Sequence, residues 1–253
     1  MRNPYTDRKG IRDISRFYGR KQELSRIYSR IGAPNPQSVS IVGDRRIGKS
    51  SLLNFIYHEE NRNKYLDNPE SYIFVLMDLQ VERSEIPDQR SGKEQREAIP
   101  IFIESLLGLI SEASGQSLTF QGRTAYDSLK RLAMELRREK RKLIVLFDEF
   151  ELITQNEAFD STFYAFFRGL ASNYDIAYVT SSVRDLQELC SVKEIANSPF
   201  FNIFSKVHLG PLREMEAIDL IEKPSSAAGC PLSKYTDSIL EMSGMIPFFI
   251  KMA

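Results

Sequence analysis

The sequence predicts an α/β fold: a three-layer core built on a mostly parallel five-stranded sheet, followed by a small helical unit. Three observations carry this. Five short apolar runs, Ser38 to Val42, Tyr72 to Leu79, Leu143 to Phe147, Ile176 to Ser182 and Ile203 to Leu209, read as strands. Helical stretches separate them, and continuous apolar strands alternating with amphipathic helices indicate a parallel sheet covered on both faces. Beyond Pro211 no further strand pattern appears.

Taken in order, the chain through Arg20 is polar and turn-rich. Leu24, Ile27, Tyr28 and Ile31 then fall at i, i+3, i+4 and i+7, the apolar stripe of a short helix that stops at Gly32. Two prolines and a glycine in residues 32–37 cannot continue it, so residues 1–36 form an N-terminal segment and residues 37–210 the core. Within the core, a helix is expected from Ser51 to His58. Pro100 suits the first turn of a helix carrying Ile103, Leu106, Leu107 and Ile110, and Leu129, Leu132, Ala133 and Leu136 form another stripe. Residues 82–98, VERSEIPDQRSGKEQRE, read as a charged, mobile surface connection. Residues 211–253 read as helices around Met215 to Ile221, around Tyr235 to Met242 and from Pro247 onward, the last cut at Ala253, as in a truncated lid.

The composition narrows the function classes. A chain of 253 residues with 42% hydrophobic residues holds one large domain or two modest ones without a disulfide or structural metal. Its 34 Lys and Arg balance 34 Asp and Glu, so direct nucleic-acid binding is not favoured. No apolar run reaches the roughly 18–20 residues that cross a bilayer and no signal peptide is evident, so no membrane contact and a cytoplasmic setting are expected. Cys190 and Cys230 have no Cys/His cluster near them, which fits a reduced compartment and no zinc site.

The chemistry enters at Gly43-Asp44-Arg45-Arg46-Ile47-Gly48-Lys49-Ser50, which fits G-x-x-x-x-G-K-[ST] between a strand and a helix that begins at Ser51. Glycines there allow successive backbone N–H groups to point inward and cradle phosphates at a positive helix N-terminus. Lys49 is expected to reach the β- and γ-phosphates, and the Ser50 hydroxyl to ligate Mg²⁺. The strand from Leu143 ends in Asp148 and Glu149, which places two carboxylates beside that loop. Asp148 is expected to hold Mg²⁺ through its water shell, and Glu149 to polarise the attacking water.

Thr180, Ser181 and Ser182 end a further strand and lead into Arg184, which is expected to sense the γ-phosphate charge. Arg168 reads as an exposed helix arginine rather than a finger reaching a neighbour's site. The cations of residues 137–142 complement a helix C-terminus. Arg45 and Arg46 add positive potential at the loop and are expected to pair with phosphates or with acids of a helical lid. His58 and His208 lack ligand spacing and read as ordinary histidines.

These residues resemble the STAND class of P-loop ATPases and the related AAA-like and archaeal ATPase domains, over about Phe17 to Ala253. Phe17-Tyr18-Gly19-Arg20 followed by Glu23-Leu24 is similar to the motif that lines the adenine side in that group. GDRRIGKSSLL from Gly43 is similar to its arginine-containing phosphate loop, and Asp148-Glu149 to its acidic strand end. Ser243 to Pro247 resembles the glycine-to-proline turn of the family's lid, with an extra spacing and no His, and the resemblance puts Pro247 near the base. It implies a P-loop NTPase core, bound ATP and Mg²⁺, slow hydrolysis used as a switch, and nucleotide-dependent self-association or a partner protein. The alternatives are a DNA-associated AAA-type ATPase similar to replication initiators, and a scaffold that binds nucleotide without hydrolysing it.

Overall fold

The computed structural model describes residues 3–5, 10–11, 13–82, 97–115, 124–190 and 196–253. Its helices of eight residues or more are α1 (Lys21–Ile31), α2 (Lys49–Tyr57), α3 (Ala98–Ser114), α4 (Ala125–Arg138), α5 (Ser161–Asn173), α6 (Glu214–Ala227) and α7 (Thr236–Ser243). Its strands are β1 (Val39–Val42), β2 (Tyr72–Asp78), β3 (Lys142–Asp148), β4 (Ile176–Ser182) and β5 (Ser205–His208). They form one sheet in the order β2-β3-β4-β1-β5, and every pairing is parallel.

Alternation along the strands builds the three layers. Phe74, Ile144, Leu146, Ala177, Val179, Val39 and Ile41 meet Leu24, Ile27 and Ile31 of α1 and Leu52, Leu53 and Ile56 of α2 on one face. On the other, Val75, Met77, Val145, Phe147 and Tyr178 meet α3, α4 and α5. The ring of Phe102 is fully buried there, with the centroids of Phe147, Phe159, Phe163 and Phe167 between 5.5 and 5.9 Å away. A third cluster joins Leu212, Ala217, Leu220 and Ile221 to Ile239 and Ile250, so the C-terminal helices bury apolar surface among themselves.

Several boundaries move for local reasons. The last strand begins at Ser205 rather than Ile203, because Pro199 opens a 3-10 helix, Pro199–Ile203, which the Ser198 hydroxyl caps at the Phe200 N–H. Leu79 leaves its strand and starts a helical turn, Leu79–Glu82, as the Asp78 carboxylate accepts from the Gln80 N–H. α2 begins at Lys49, two residues earlier than its apolar pattern, because Gly48 turns the chain. The helix Glu59–Tyr65 has no apolar stripe, and its one buried side chain, Asn61, donates to the Phe55 carbonyl. Of the charged connection at 82–98, residues 83–96 lie outside the described residues.

Replacing Phe102 with Ala is expected to destabilise the fold by about 3–5 kcal/mol, since four packed rings cannot collapse into the space left. Urea unfolding checks it, and a loss below about 1 kcal/mol would show that α3 does not pack as described.

Candidate functional site

The order β2-β3-β4-β1-β5 sets the site, because β4 is inserted between the strand that feeds the glycine-rich loop and the strand that ends in acids. Val42 pairs with Ser182 and Phe147 with Thr180, so all three strands end at one level. The Gly43 N–H donates to the Ser182 carbonyl at 3.2 Å and the Phe150 N–H to the Ser181 carbonyl at 2.9 Å, fixing both loops to the end of β4. In an open α/β sheet this carboxyl edge is where ligands bind.

A cleft of about 860 Å³ opens there. Its floor is residues 45–51, one wall is Asp148, Glu149 and Glu151, a second is Gly10, Ile11, Phe17 and Tyr18, and a third is Leu212, Leu220, Pro247, Phe248 and Lys251. Gly48 has φ +102°, a conformation that favours glycine and lets the chain turn into α2. A Cβ on Gly43 would stand 2.7 Å from the Leu209 carbonyl oxygen, so only glycine fits beside the end of β5. Lys49 Nζ donates to the carbonyls of Gly43 at 2.7 Å and Asp44 at 3.1 Å, which curls the loop around its own lysine. Burial pulls the Lys49 ammonium below its usual pKa, opposed by Glu151, Asp148, Glu149 and Asp44.

The acidic wall is held from β4. Asp148 Oδ1 accepts from Ser181 Oγ and, at 3.2 Å, from the Glu149 N–H, which also donates to Ser181 Oγ at 3.1 Å. Glu149 has φ +55°, and its carboxyl is pushed above the ordinary range, first by burial and then by Asp148 and Asp78. Glu151 Oε1 accepts from the Val183 N–H at 3.3 Å, while its Oε2 is buried without a hydrogen-bond partner. Three of the five positive-φ residues other than glycine among the described residues, Arg20, Arg46 and Glu149, line this one cleft. Such conformations cost about 1–3 kcal/mol each and cluster where function constrains the backbone.

The cleft brings together Tyr18, Arg20, Arg45, Arg46, Ile47, Gly48, Lys49, Ser50, Ser51, Asp148, Glu149 and Pro247. Gly43 and Asp44 serve it through the carbonyls that hold Lys49, and Gly19 lies beneath, against Glu216 of α6. Arg20 is 3% exposed, and its guanidinium donates to the carbonyls of Ile47, Gly210 and Pro211. Arg184 is exposed and outside the lining, with Val183 in its place. Ser182 Oγ donates to the Arg184 carbonyl, which turns the chain there. Arg46 meets an aromatic ring of the C-terminal wall, with its guanidinium carbon 4.5 Å from the Phe248 centroid.

Sequence reasoning missed Glu151, Gln80, Phe248 and Lys251. The spacing Asp148-Glu149-Phe150-Glu151 was a usable signal for the first, and adjacency to Pro247 for the third. Gln80 follows the end of a strand whose position beside β3 no local pattern reveals. Arg168 is exposed on α5. Among the described residues, no helix is long and apolar enough to cross a membrane.

Fold and site together define a P-loop NTPase of the three-layer α/β class. The family model described as Novel STAND NTPase 2 matches residues 33–253, and the chain belongs to that family. Comparison with curated protein sequences gives no match. Among solved structures, the Walker-type ATPase of Pyrococcus abyssi is similar with a TM-score of 0.68 at 16% identity, over 98% of this chain and 69% of that one. The ORC2 protein of Aeropyrum pernix, in ADPNP–ADP complexes, is similar with a TM-score of 0.61 at 16% identity, over 89% and 55%. The ORC1 protein of Aeropyrum pernix in complex with DNA follows at 0.53 and 13% identity, over 83% and 50%. The chain thus spans 69% of the first of these and only 55% and 50% of the other two.

The raised Glu149 carboxyl means that the folded protein holds this proton more tightly than the unfolded chain. Its ionisation therefore costs stability as pH rises from the ordinary carboxylate value upward. Glu149→Gln is expected to melt at a higher temperature than wild type at pH 7, with the gap closing as pH falls through the carboxylate range. Thermal unfolding from pH 4 to 8 checks this, and midpoints that coincide throughout would contradict it.

Proposed function

We propose that this cleft binds Mg²⁺-ATP and hydrolyses it slowly, and that the chain is the nucleotide-controlled switch module of a STAND ATPase. One observation carries the reading: Lys49, Ser50, Asp148 and Glu149 converge on a single cleft whose floor is a loop-to-helix N-terminus. We take residues 1–36 as the segment beside the base, 37–210 as the ATPase core and 211–253 as the lid. The all-oxygen pair of Ser50 hydroxyl and Asp148 carboxylate suits Mg²⁺, and Asp148 Oδ1 is already held by Ser181 Oγ and the Glu149 N–H. When bound, the ion would neutralise charge on the phosphates.

The chain's own groups supply the rest. Backbone N–H groups of residues 46–50 receive phosphate oxygens, and the Lys49 ammonium shifts from the Gly43 and Asp44 carbonyls to the phosphates. Glu149 takes up a proton from the attacking water, a role that its raised pKa favours. Most of the acceleration then comes from position and electrostatics. Arg184 lies outside the lining, which fits slow turnover until the β4 loop or a partner protein completes the site.

A DNA-binding role has less support. The basic run at 137–142 is partly occupied internally, as Arg137 donates to the Asn173 carbonyl and Lys142 to the Ala33 carbonyl and the Tyr72 hydroxyl. Cys190 and Cys230 are not disulfide-bonded, which fits a cytoplasmic setting.

Phosphate release from Mg²⁺-ATP by the purified chain tests the proposal. Lys49→Ala is expected to abolish release and weaken binding by tenfold or more, on the order of 1.4 kcal/mol. Glu149→Gln is expected to keep binding within about threefold while turnover falls about a hundredfold. Release by Lys49→Ala equal to wild type would overturn the proposal.

A further inference from the structure

Arg46 sits at the bend of the phosphate loop with φ +67°, in a conformation that a side chain disfavours. The next residue is pinned: Ile47 is 3% exposed and its carbonyl accepts from the buried Arg20 at 3.0 Å. The Arg46 backbone therefore cannot relax toward its C-terminal side, and its side chain leaves the loop in a set direction. It lands on the ring of Phe248, which follows Pro247 in the short helix Pro247–Ile250 and itself lines the cleft. Phe248 is braced in turn by an edge contact with Phe249, with centroids 5.6 Å apart.

A guanidinium has two different surfaces. Its face stacks on an aromatic ring, and its five N–H donors point outward in the plane, so one arginine can stack and bind an anion together. We propose that Phe248 is a positioning residue for the nucleotide's phosphates: its ring holds the Arg46 guanidinium by the face and leaves the N–H edge free for a phosphate oxygen. The proposal rests on reading the cleft as a nucleotide site and adds a route by which the C-terminal helices act on the phosphate loop. Closing those helices over the cleft brings the ring under Arg46. Opening them removes the ring and leaves Arg46 to swing in solvent. The aromatic residue thus makes phosphate affinity depend on the position of the C-terminal helices.

The alternative role for Phe248 is to pack against the base, and inorganic tripolyphosphate separates the two because it has no base. Titration calorimetry on the full chain would compare Mg²⁺-ATP with tripolyphosphate for wild type, Phe248→Leu, Phe248→Tyr, Arg46→Gly and the double variant Arg46→Gly/Phe248→Leu. Arg46→Gly suits the positive φ and so tests the side chain without backbone strain. Phe248→Leu is expected to weaken both ligands by the same factor, about three- to tenfold, and Phe248→Tyr to restore both. In the Arg46→Gly background the Leu substitution is expected to cost less than about twofold more. Weakening of ATP with tripolyphosphate unchanged, or an equal cost of Phe248→Leu with and without Arg46, would overturn the proposal. Wild type binding neither ligand more tightly than Lys49→Ala would instead overturn the nucleotide reading beneath it.

Discussion

The guanidinium of Arg20 joins three parts of the chain that must meet for the cleft to exist. It is buried at the start of α1 and donates to the carbonyl of Ile47 in the phosphate loop and to those of Gly210 and Pro211, where the chain leaves β5 for the C-terminal helices. Burial of a charge is costly unless it is paired and hydrogen-bonded, and here Glu23 stands 3.6 Å away while three carbonyls accept. Burial still draws Arg20 below its usual pKa, with Glu23 and Glu216 opposing. Glu216 also accepts from the N–H groups of Lys21 and Arg213, so the starts of α1 and α6 share one carboxylate. The resemblance puts the segment Phe17 to Arg20 on the adenine side of the site; Arg20 lines the cleft, and its donors are committed to backbone carbonyls through which it supports the cleft walls.

The second constraint is the insertion of β4. Because its end lies between the phosphate loop and the acidic wall, Ser181 and Ser182 tie each side to the same strand, and neither side moves alone. The buried hydroxyl of Ser181 orients Asp148, and the Val183 N–H holds Glu151. The result is a rigid acidic wall with a desolvated carboxylate at its centre and a buried carboxylate oxygen of Glu151 that has no partner. Such an arrangement costs stability, which is the usual mark of a site selected for chemistry. The C-terminal helices are different. They pack chiefly on one another, with the Leu212 N–H on the Met245 carbonyl among their internal bonds, and meet the rest of the chain through contacts such as Arg46 on Phe248, the Lys21 N–H on Glu216 and the Tyr5 hydroxyl on the Ile221 carbonyl. The proposed switch would need one rigid part and one part held by contacts that can be exchanged.

Much of this was legible in the sequence for reasons that can be named. Apolar runs such as Leu143 to Phe147 are buried on both faces, so their composition alone marks a central strand. Lys49, Ser50, Asp148 and Glu149 were legible because the glycine-rich loop and the strand end are local patterns whose spacing is set by backbone geometry. The helix Glu59–Tyr65 was invisible, since its residues are polar and its burial rests on one asparagine. Arg184, expected as a sensor from its place after a strand end, lies outside the cleft lining, because proximity to a strand end does not fix where a residue sits after a turn. Phe248 was legible only in part: adjacency to Pro247 was a signal that it lies near the cleft, but only the tertiary fold brings Arg46 to its face.

The central claim is that the cleft between the phosphate loop, the acidic wall and the C-terminal helices is a nucleotide site. A crystal structure of the chain grown with Mg²⁺ and a non-hydrolysable ATP analogue tests it most directly. The account predicts phosphates on the backbone N–H groups of residues 46–50, with Lys49 Nζ moved off the Gly43 and Asp44 carbonyls onto phosphate oxygens. An analogue bound elsewhere, or Lys49 still bonded to those carbonyls with nucleotide present, would contradict it.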